Sequence, residues 1–317
     1  MLSSVCSELI SRAKDYPTTY NRRLFNHLPM MLLALDKMGA TSEQLTSSFD
    51  NYIERFTDHD NYLDPANPIK QQTEILQQQY LLQLNDQGIK PIISSALLFL
   101  MPGVAAGVFY PFTRLANAVV AEDFEEIAIA LACWHTYYLD LGEIRECADK
   151  KPGSLLRSTA KIVAHYRFPA GNSIDRMASV LDLEQYYQSA SQPLVINFEI
   201  VATAVLSTYQ MTGDFTMHHC VVAIKSFATL RDYFDDEELA LRYFWQAVVV
   251  AYLSTGGAPM AAAEQVELID WSEIKAFCCD CSNEHLIEIC YACEIIQQQT
   301  GHISGHRIAS RLVHYNR

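Results

Sequence analysis

The chain is predicted to be all-α, one domain spanning residues 1–317 with roughly a dozen or more helices around an apolar core. Three observations predict this. Apolar residues recur at three- and four-residue steps along most of the length, the period of a helix face. No stretch alternates apolar and polar residues long enough to make a convincing strand, and no hairpin signal joins two such stretches. Half of the 317 residues are hydrophobic and only 19% are charged, so a sizeable core can form and extended disorder is not expected. No internal repeat is visible.

The elements follow in order. Tyr20 to Met38 reads as a helix with Leu24, His27, Leu28, Met31, Leu32 and Leu35 on one face. Thr41-Ser42-Glu43-Gln44 has the form of a capping box and starts the next helix, whose body carries Leu45, Phe49, Tyr52, Ile53 and Phe56 on one side. Asp58 to Pro68 is the clearest loop, and a Gln-rich helix follows from Gln71 to Leu84. Ile92 to Phe112 carries no charge and is long enough to cross a bilayer, but Pro102-Gly103 divides it. It therefore reads as two buried core helices meeting at a turn. Phe124 to Leu139 is again helical. Turns are expected at 149–153 and 168–173, then helices at 174–189, 195–211, 216–230 and 235–254, the last ended by Gly256-Gly257-Ala258-Pro259.

A net charge of −14 and the absence of a long basic run argue against nucleic acid or an anionic membrane as partner. Small molecules or other proteins are expected instead. The first residues lack the basic start and apolar run of a secretory signal. With nine cysteines, an odd number, this predicts reduced thiols and a cytoplasmic location. No Gly-rich dinucleotide fingerprint, P-loop, G-x-S-x-G elbow or H-E-x-x-H pair occurs, so no Rossmann-type flavin or nicotinamide site is expected. Redox chemistry, if present, would need a metal or the substrate itself to carry electrons.

Five of the nine cysteines fall between Phe277 and Cys293, in FCCDCSNEHLIEICYAC. Three readings stand here. The apolar stripe Leu286, Ile289, Cys290, Cys293, Ile296 makes them core residues of a helix. Cys279, Cys281, Cys290 and Cys293 could instead hold zinc, with His285 as a spare ligand, although the spacing departs from the usual patterns. A redox thiol pair is the third. Within the same stretch, His285 and Glu288 lie three apart and share a helix face, as metal-binding pairs in helical bundles do.

Other histidines divide by context. His27 lies among apolar residues, where a buried imidazole satisfied by a neighbour is the plain alternative to a ligand. His218 and His219 are adjacent, and at most one is expected to point inward. Lys225 lies about 240° around the helix from His219, so a solvated lysine is expected there. His302 and His306 sit in a polar, glycine-bearing context near the terminus and read as surface residues.

Five ordered segments resemble the questin oxidase-like family: FNHLPMMLLALDKMGATSEQL (25–45), PGVAAGVFYPFTRLANAV (102–119), TGDFTMHHCVVAIKSFATLRDYF (212–234), RYFWQAVVVAYLSTGGAP (242–259) and SNEHLIEICYAC (282–293). Together they cover nearly the whole chain. The resemblance implies an all-helical oxygenase of aromatic, polyketide-like small molecules. It implies a mononuclear non-haem Fe(II) centre built from dispersed histidines, with a lysine nearby that carboxylation can make anionic. Carried over, His27, His219 and His285 match the family's histidines. Three positions depart. Tyr110 stands where the family usually has histidine. Glu288 stands where relatives commonly have lysine, and Lys225 where they often carry a second histidine.

On this reading His27, His219, His285 and Glu288 hold Fe(II), leaving room for O2 and an aromatic substrate. Glu288, also a stand-in for a carboxylated lysine, and Tyr110, bonding substrate or oxygen, are the catalytic candidates. Phe109, Tyr110, Lys225 and Trp245 are expected to line the substrate pocket. The alternative is a metal-free member that binds a small hydrophobic ligand or a protein partner without catalysis.

Overall fold

A computed structural model describes residues 2–20, 24–56, 67–262 and 266–317. Most of the loop expected at 58–68 lies outside them. Among the described residues are sixteen α-helices and only four two-residue strands. The strands form two minimal pairs, Thr19–Tyr20 antiparallel to Leu24–Phe25 and Cys147–Ala148 parallel to Gln192–Pro193. The all-α class is thus the observed one. No described helix is long and apolar enough to cross a membrane.

The chain opens with α1 (Ser4–Ala13), α2 (Leu28–Met38) and α3 (Ser42–Ile53). The helix expected over 20–38 begins later. Thr19–Tyr20 and Leu24–Phe25 pair, and Pro29 near the helix start fixes where α2 begins. His27 is consequently the residue before α2, not one within it. The capping box at Thr41 is present in both its hydrogen bonds, and it starts α3.

The Gln-rich helix is α4 (Pro68–Gln87), followed by α5 (Ile89–Leu100). The uncharged stretch 92–112 breaks at Pro102-Gly103 as expected. The second half is not one continuous helix, however. Gly107, Val108 and Phe109 all take positive φ before α6 (Tyr110–Ala121) begins. Such a conformation is unusual for a β-branched residue. Gly107 is required there, because a Cβ would lie 2.7 Å from the Phe25 ring.

Helix α7 (Phe124–Thr136) packs against α4 and α6. Then come α8 (Pro152–Thr159), α9 (Ser173–Val180) and α10 (Glu184–Tyr187). The last two replace the single helix expected over 174–189, the break falling at Leu181 to Leu183. Two long helices follow, α11 (Phe198–Thr212) and α12 (Phe215–Leu230), separated by Gly213 in the left-handed conformation. They lead to α13 (Glu237–Ser254), α14 (Trp271–Cys279), α15 (Glu284–Thr300) and α16 (Ser304–Asn316).

Helix α12 is the centre of the assembly, packed against α6, α11, α13 and α15. Helix α15 in turn meets α2, α12, α14 and α16. One continuous apolar core runs from Cys6 to Val313, and a smaller cluster gathers Phe25, Met30, Tyr110 and Cys133. Helices buried on several sides lose the polar face that normally marks orientation, as in α12 and α13.

The cysteines at 278, 279, 290 and 293 are buried in the main core. The neighbouring Cys278 thiol and burial push the pKa of Cys290 well up. It is therefore Cys278, on the last turn of α14, that meets α15, not only the expected pair Cys279 and Cys281. All nine cysteines are free thiols. One turn further along α15, Gly305 on α16 lies so close that an added Cβ would sit 2.6 Å from the Cys293 carbonyl oxygen. Gly305→Ala is expected to force α15 and α16 apart and cost about 1–3 kcal/mol. A thermal melt of the variant checks this, and an unchanged Tm would contradict the close approach.

Candidate functional site: an imidazole cluster

Four histidines from three separate parts of the chain converge. His27 precedes α2, His218 and His219 lie one turn into α12, and His285 lies in the first turn of α15. Ring centroids are 4.8 Å apart for His27 and His285, 5.4 Å for His219 and His285, and 6.2 Å for His27 and His219. His218 joins at 5.5 Å from His219 and 5.8 Å from His285. The expectation that only one of the adjacent pair points inward is therefore overturned. Neighbours on a helix are about 100° apart, so a point lying between their two directions receives both rings.

Local structure sets each ring. Asp214 caps α12 by accepting from the backbone N–H groups of Thr216 and Met217, at 2.7 and 3.3 Å. Asn283 caps α15 in the same way, accepting from His285 and Leu286. Polar caps thus fix where each of these two packed helices begins. The backbone around His27 is held from both sides. Its N–H donates to the Tyr52 hydroxyl at 2.8 Å, and the Asn26 carbonyl accepts from the Tyr110 hydroxyl at 2.8 Å.

Glu288 is buried and lies 3.0 Å from His27 Nδ1. This places it behind His27, where a carboxylate orients an imidazole and leaves Nε2 for a ligand. The catalytic and metal-ligand roles expected of Glu288 stand beside this observed contact of its Oε1 with the His27 ring. Tyr110 lies edge-on to His27, with centroids 5.4 Å apart, and stacks on Phe25 at 4.3 Å. Its hydroxyl proton is given to Asn26, and the oxygen accepts from Arg114 Nη1 at 2.8 Å. Arg114 itself forms a two-pronged bond to Glu126, both contacts at 2.9 Å. Tyr110 therefore supports His27 through its hydroxyl. Sequence reading missed Arg114 and Glu126; their spacing of twelve residues across two helices carries no local signal.

Lys225 is only 2% exposed, so the expected solvated lysine is corrected. Around Lys225 helix α12 is enclosed by its neighbours, which buries even a residue off the histidine face. Its ammonium donates to Asn117 Oδ1 at 3.1 Å and lies 5.0 Å from the centre of the Tyr291 ring. Burial lowers its pKa to about 8, against the opposing charge of Glu288. The other expected pocket residues lie elsewhere. Phe109 is fully buried with its ring against Phe244 at 5.7 Å. Trp245 is fully buried and donates from Nε1 to the Ser191 carbonyl at 2.8 Å. Both are core residues, and neither has a ring contact with a histidine among the described residues. His302 faces Glu199 at 3.2 Å, and His306 stacks on Trp271; neither joins the cluster.

The electrostatics favour neutral rings for three of the four histidines. Burial, then the charges of His285 and His27, depress the His218 pKa to about 3. Burial and its neighbours hold His219 well below the usual value, and burial with His27 lowers His285. His27 alone moves up. Burial disfavours its charge, but the charge and hydrogen bond of Glu288 outweigh that.

Neutral imidazoles are the form that binds metals. The His218 Nε2 atom is buried with no hydrogen-bond partner, which is costly unless a ligand supplies one. Rings whose nitrogens lie ~2.1 Å from one ion would have centroids about 4.5–6 Å apart, the scale of the spacings here. The donor chemistry and spacing therefore fit a metal of the imidazole-binding kind. Even so, among the described residues no group of three His, Cys, Asp or Glu is arranged to hold an ion as it stands.

No protein-family model and no curated protein matches this chain. What the site can do rests on its own residues.

Proposed function

We propose that the chain is a non-haem-iron-type oxygenase acting on an aromatic, polyketide-like small molecule, as its resemblance to the questin oxidase-like family implies. The observation that carries this reading is the convergence of His27, His218, His219 and His285, with Glu288 behind His27. Four imidazoles drawn from three distant segments into one buried neighbourhood are hard to account for by packing alone, because each loses solvation and one is left unsatisfied. Bound there, Fe(II) would supply activation of O2. His27, His219 and His285 would hold it, with His218 as a further donor.

The remaining residues have supporting roles. Glu288 holds the His27 ring by Nδ1 and fixes its tautomer. Tyr52 and Tyr110 fix the backbone on either side of that ring. The charge of Glu288 partly offsets the cost of burying the Lys225 ammonium. Nine reduced thiols suit the cytoplasm, where we place the protein.

Metal analysis of protein purified anaerobically with Fe(II) tests the proposal. Close to one equivalent of iron is expected, falling severalfold in His27→Ala and His285→Ala. Iron below about a tenth of an equivalent, unchanged by either substitution, would sink it.

Two observations favour the second reading, a metal-free binder of a small hydrophobic ligand or protein partner. Glu288 is taken up by His27, and Tyr110 stands at a position where the family has histidine, its hydroxyl proton spent on Asn26. The same iron measurement separates the two.

A further inference from the structure

Phe215 opens α12 immediately after the Asp214 cap. One turn on lie His218 and His219, at i+3 and i+4. Side chains on a helix lean toward its N-terminus, so both imidazoles lean toward Phe215. The ring stacks on His218 with centroids 5.8 Å apart and planes 25° apart. It meets His219 edge-on at 4.8 Å. From the second element, His285 approaches to 5.0 Å. Every aromatic contact of Phe215 among the described residues is thus with a histidine of the cluster.

Phe215 is nevertheless 54% exposed, whereas Phe109, Phe112, Phe227 and Phe244 are fully buried. An exposed phenylalanine alone needs no explanation. One that touches three of four clustered imidazoles while presenting half its surface to solvent marks where the cluster opens. The exposure of the imidazoles agrees. His27 and His218 are buried, while His219 and His285 are partly exposed, and these two are the ones nearest Phe215. Beside this opening, Glu284 lies 3.6 Å from His285 Nδ1 and is bound to Arg55 by both guanidinium nitrogens, at 2.6 and 2.9 Å. That ion pair makes a polar rim next to an aromatic wall.

We infer that Phe215 is the stacking wall of the opening, the residue against which a flat aromatic ligand lies as it reaches the imidazoles. The inference rests on the reading of the cluster as a site for an aromatic molecule. An aromatic ring on Phe215 gains the offset or edge-on geometry that a saturated ring of equal size does not. Phe215 is then a specificity residue: it selects planar molecules and takes no part in bond-making.

The test uses full-length protein and two probes of matched size, 1-naphthol and its saturated counterpart decahydro-1-naphthol, measured by calorimetry. Wild type is expected to bind the aromatic probe more tightly. Both Phe215→Ala and Phe215→Leu are expected to lose about tenfold in affinity for it and little for the saturated one. Leucine keeps the apolar bulk, so it separates stacking from simple covering of the cluster. Circular dichroism and Tm confirm that the variants fold. Wild-type naphthol affinity in folded Phe215→Leu overturns the inference, and so does a wild type that does not bind naphthol. Iron content is measured on the same samples. Iron present with unchanged naphthol binding in the variants rejects the role of Phe215 and leaves the metal site standing. Phe215-dependent binding without iron does the reverse.

Discussion

Arg114→Met is expected to destabilise the fold by about 3–5 kcal/mol, because it leaves the carboxylate of Glu126 buried without its partner. Arg114 and Glu126 are each 2% exposed, and the guanidinium meets both carboxylate oxygens at 2.9 Å. A pair so placed adds little beyond what an apolar pair of equal volume would, yet breaking it strands a charge. The double variant Arg114→Met with Glu126→Leu is therefore expected to recover most of the loss. Urea unfolding of the single and double variants checks both statements. If the single variant costs less than about 1 kcal/mol, the pair is not carrying a buried charge. A second consequence is local. Arg114 also donates to Tyr110, which holds the Asn26 carbonyl next to His27. The double variant, although stable, is expected to hold iron less firmly than wild type, because that tether is gone.

Acid is expected to destabilise the metal-free protein by roughly 2–3 kcal/mol between pH 7 and pH 4.5 through His218 alone. Its folded pKa of about 3 lies below the ordinary value of 6.5. The unfolded chain therefore binds a proton in this window that the folded chain refuses. Stability falls as pH drops through about 6.5 and continues to fall toward the folded value. His219 and His285, also depressed, act in the same direction. His27 acts oppositely. Its raised pKa adds stability that is fully present below 6.5 and is lost as pH rises through its folded value. Three rings against one predict net loss in acid. His218→Phe keeps a ring in place and removes the titration, so its stability should depend less on pH by about that amount. Urea midpoints at pH 7 and 4.5 in the presence of a chelator give the comparison. Equal pH dependence in variant and wild type would show that His218 is not held neutral by burial.

How far the sequence reached differs from element to element. The capping box at Thr41, the Gln-rich helix α4 and the break at Pro102-Gly103 were readable because each depends on residues a few positions apart. The start of α2 was misplaced because the pairing of Thr19–Tyr20 with Leu24–Phe25 is a contact between segments too short to carry an alternating pattern. The run over 174–189 looked like one helix because its apolar spacing continues through the break at Leu181 to Leu183.

The site divides in the same way. His285 and Glu288 could be paired by their spacing on one helix face, while His27 and His219 were singled out only by the family resemblance; the four do lie together. That His218 joins them, that Glu288 sits behind His27, and that Lys225 is buried could not be read from spacing. Each depends on which sides of α12 and α15 are enclosed. In helices that are apolar nearly all round, hydrophobic periodicity no longer says which way a polar residue points. Phe109 and Trp245 show the converse, since an aromatic residue in a core helix has the same local signature as one lining a pocket.

The sequence by itself determined the class of fold, because helix periods, caps and breakers are local properties of a chain. Only the tertiary structure decided which imidazoles meet, which carboxylate orients them and where the cluster opens to solvent. Those depend on contacts between residues up to 261 positions apart, as between His27 and Glu288, whose strength comes from shared burial and charge rather than from any pattern along the chain.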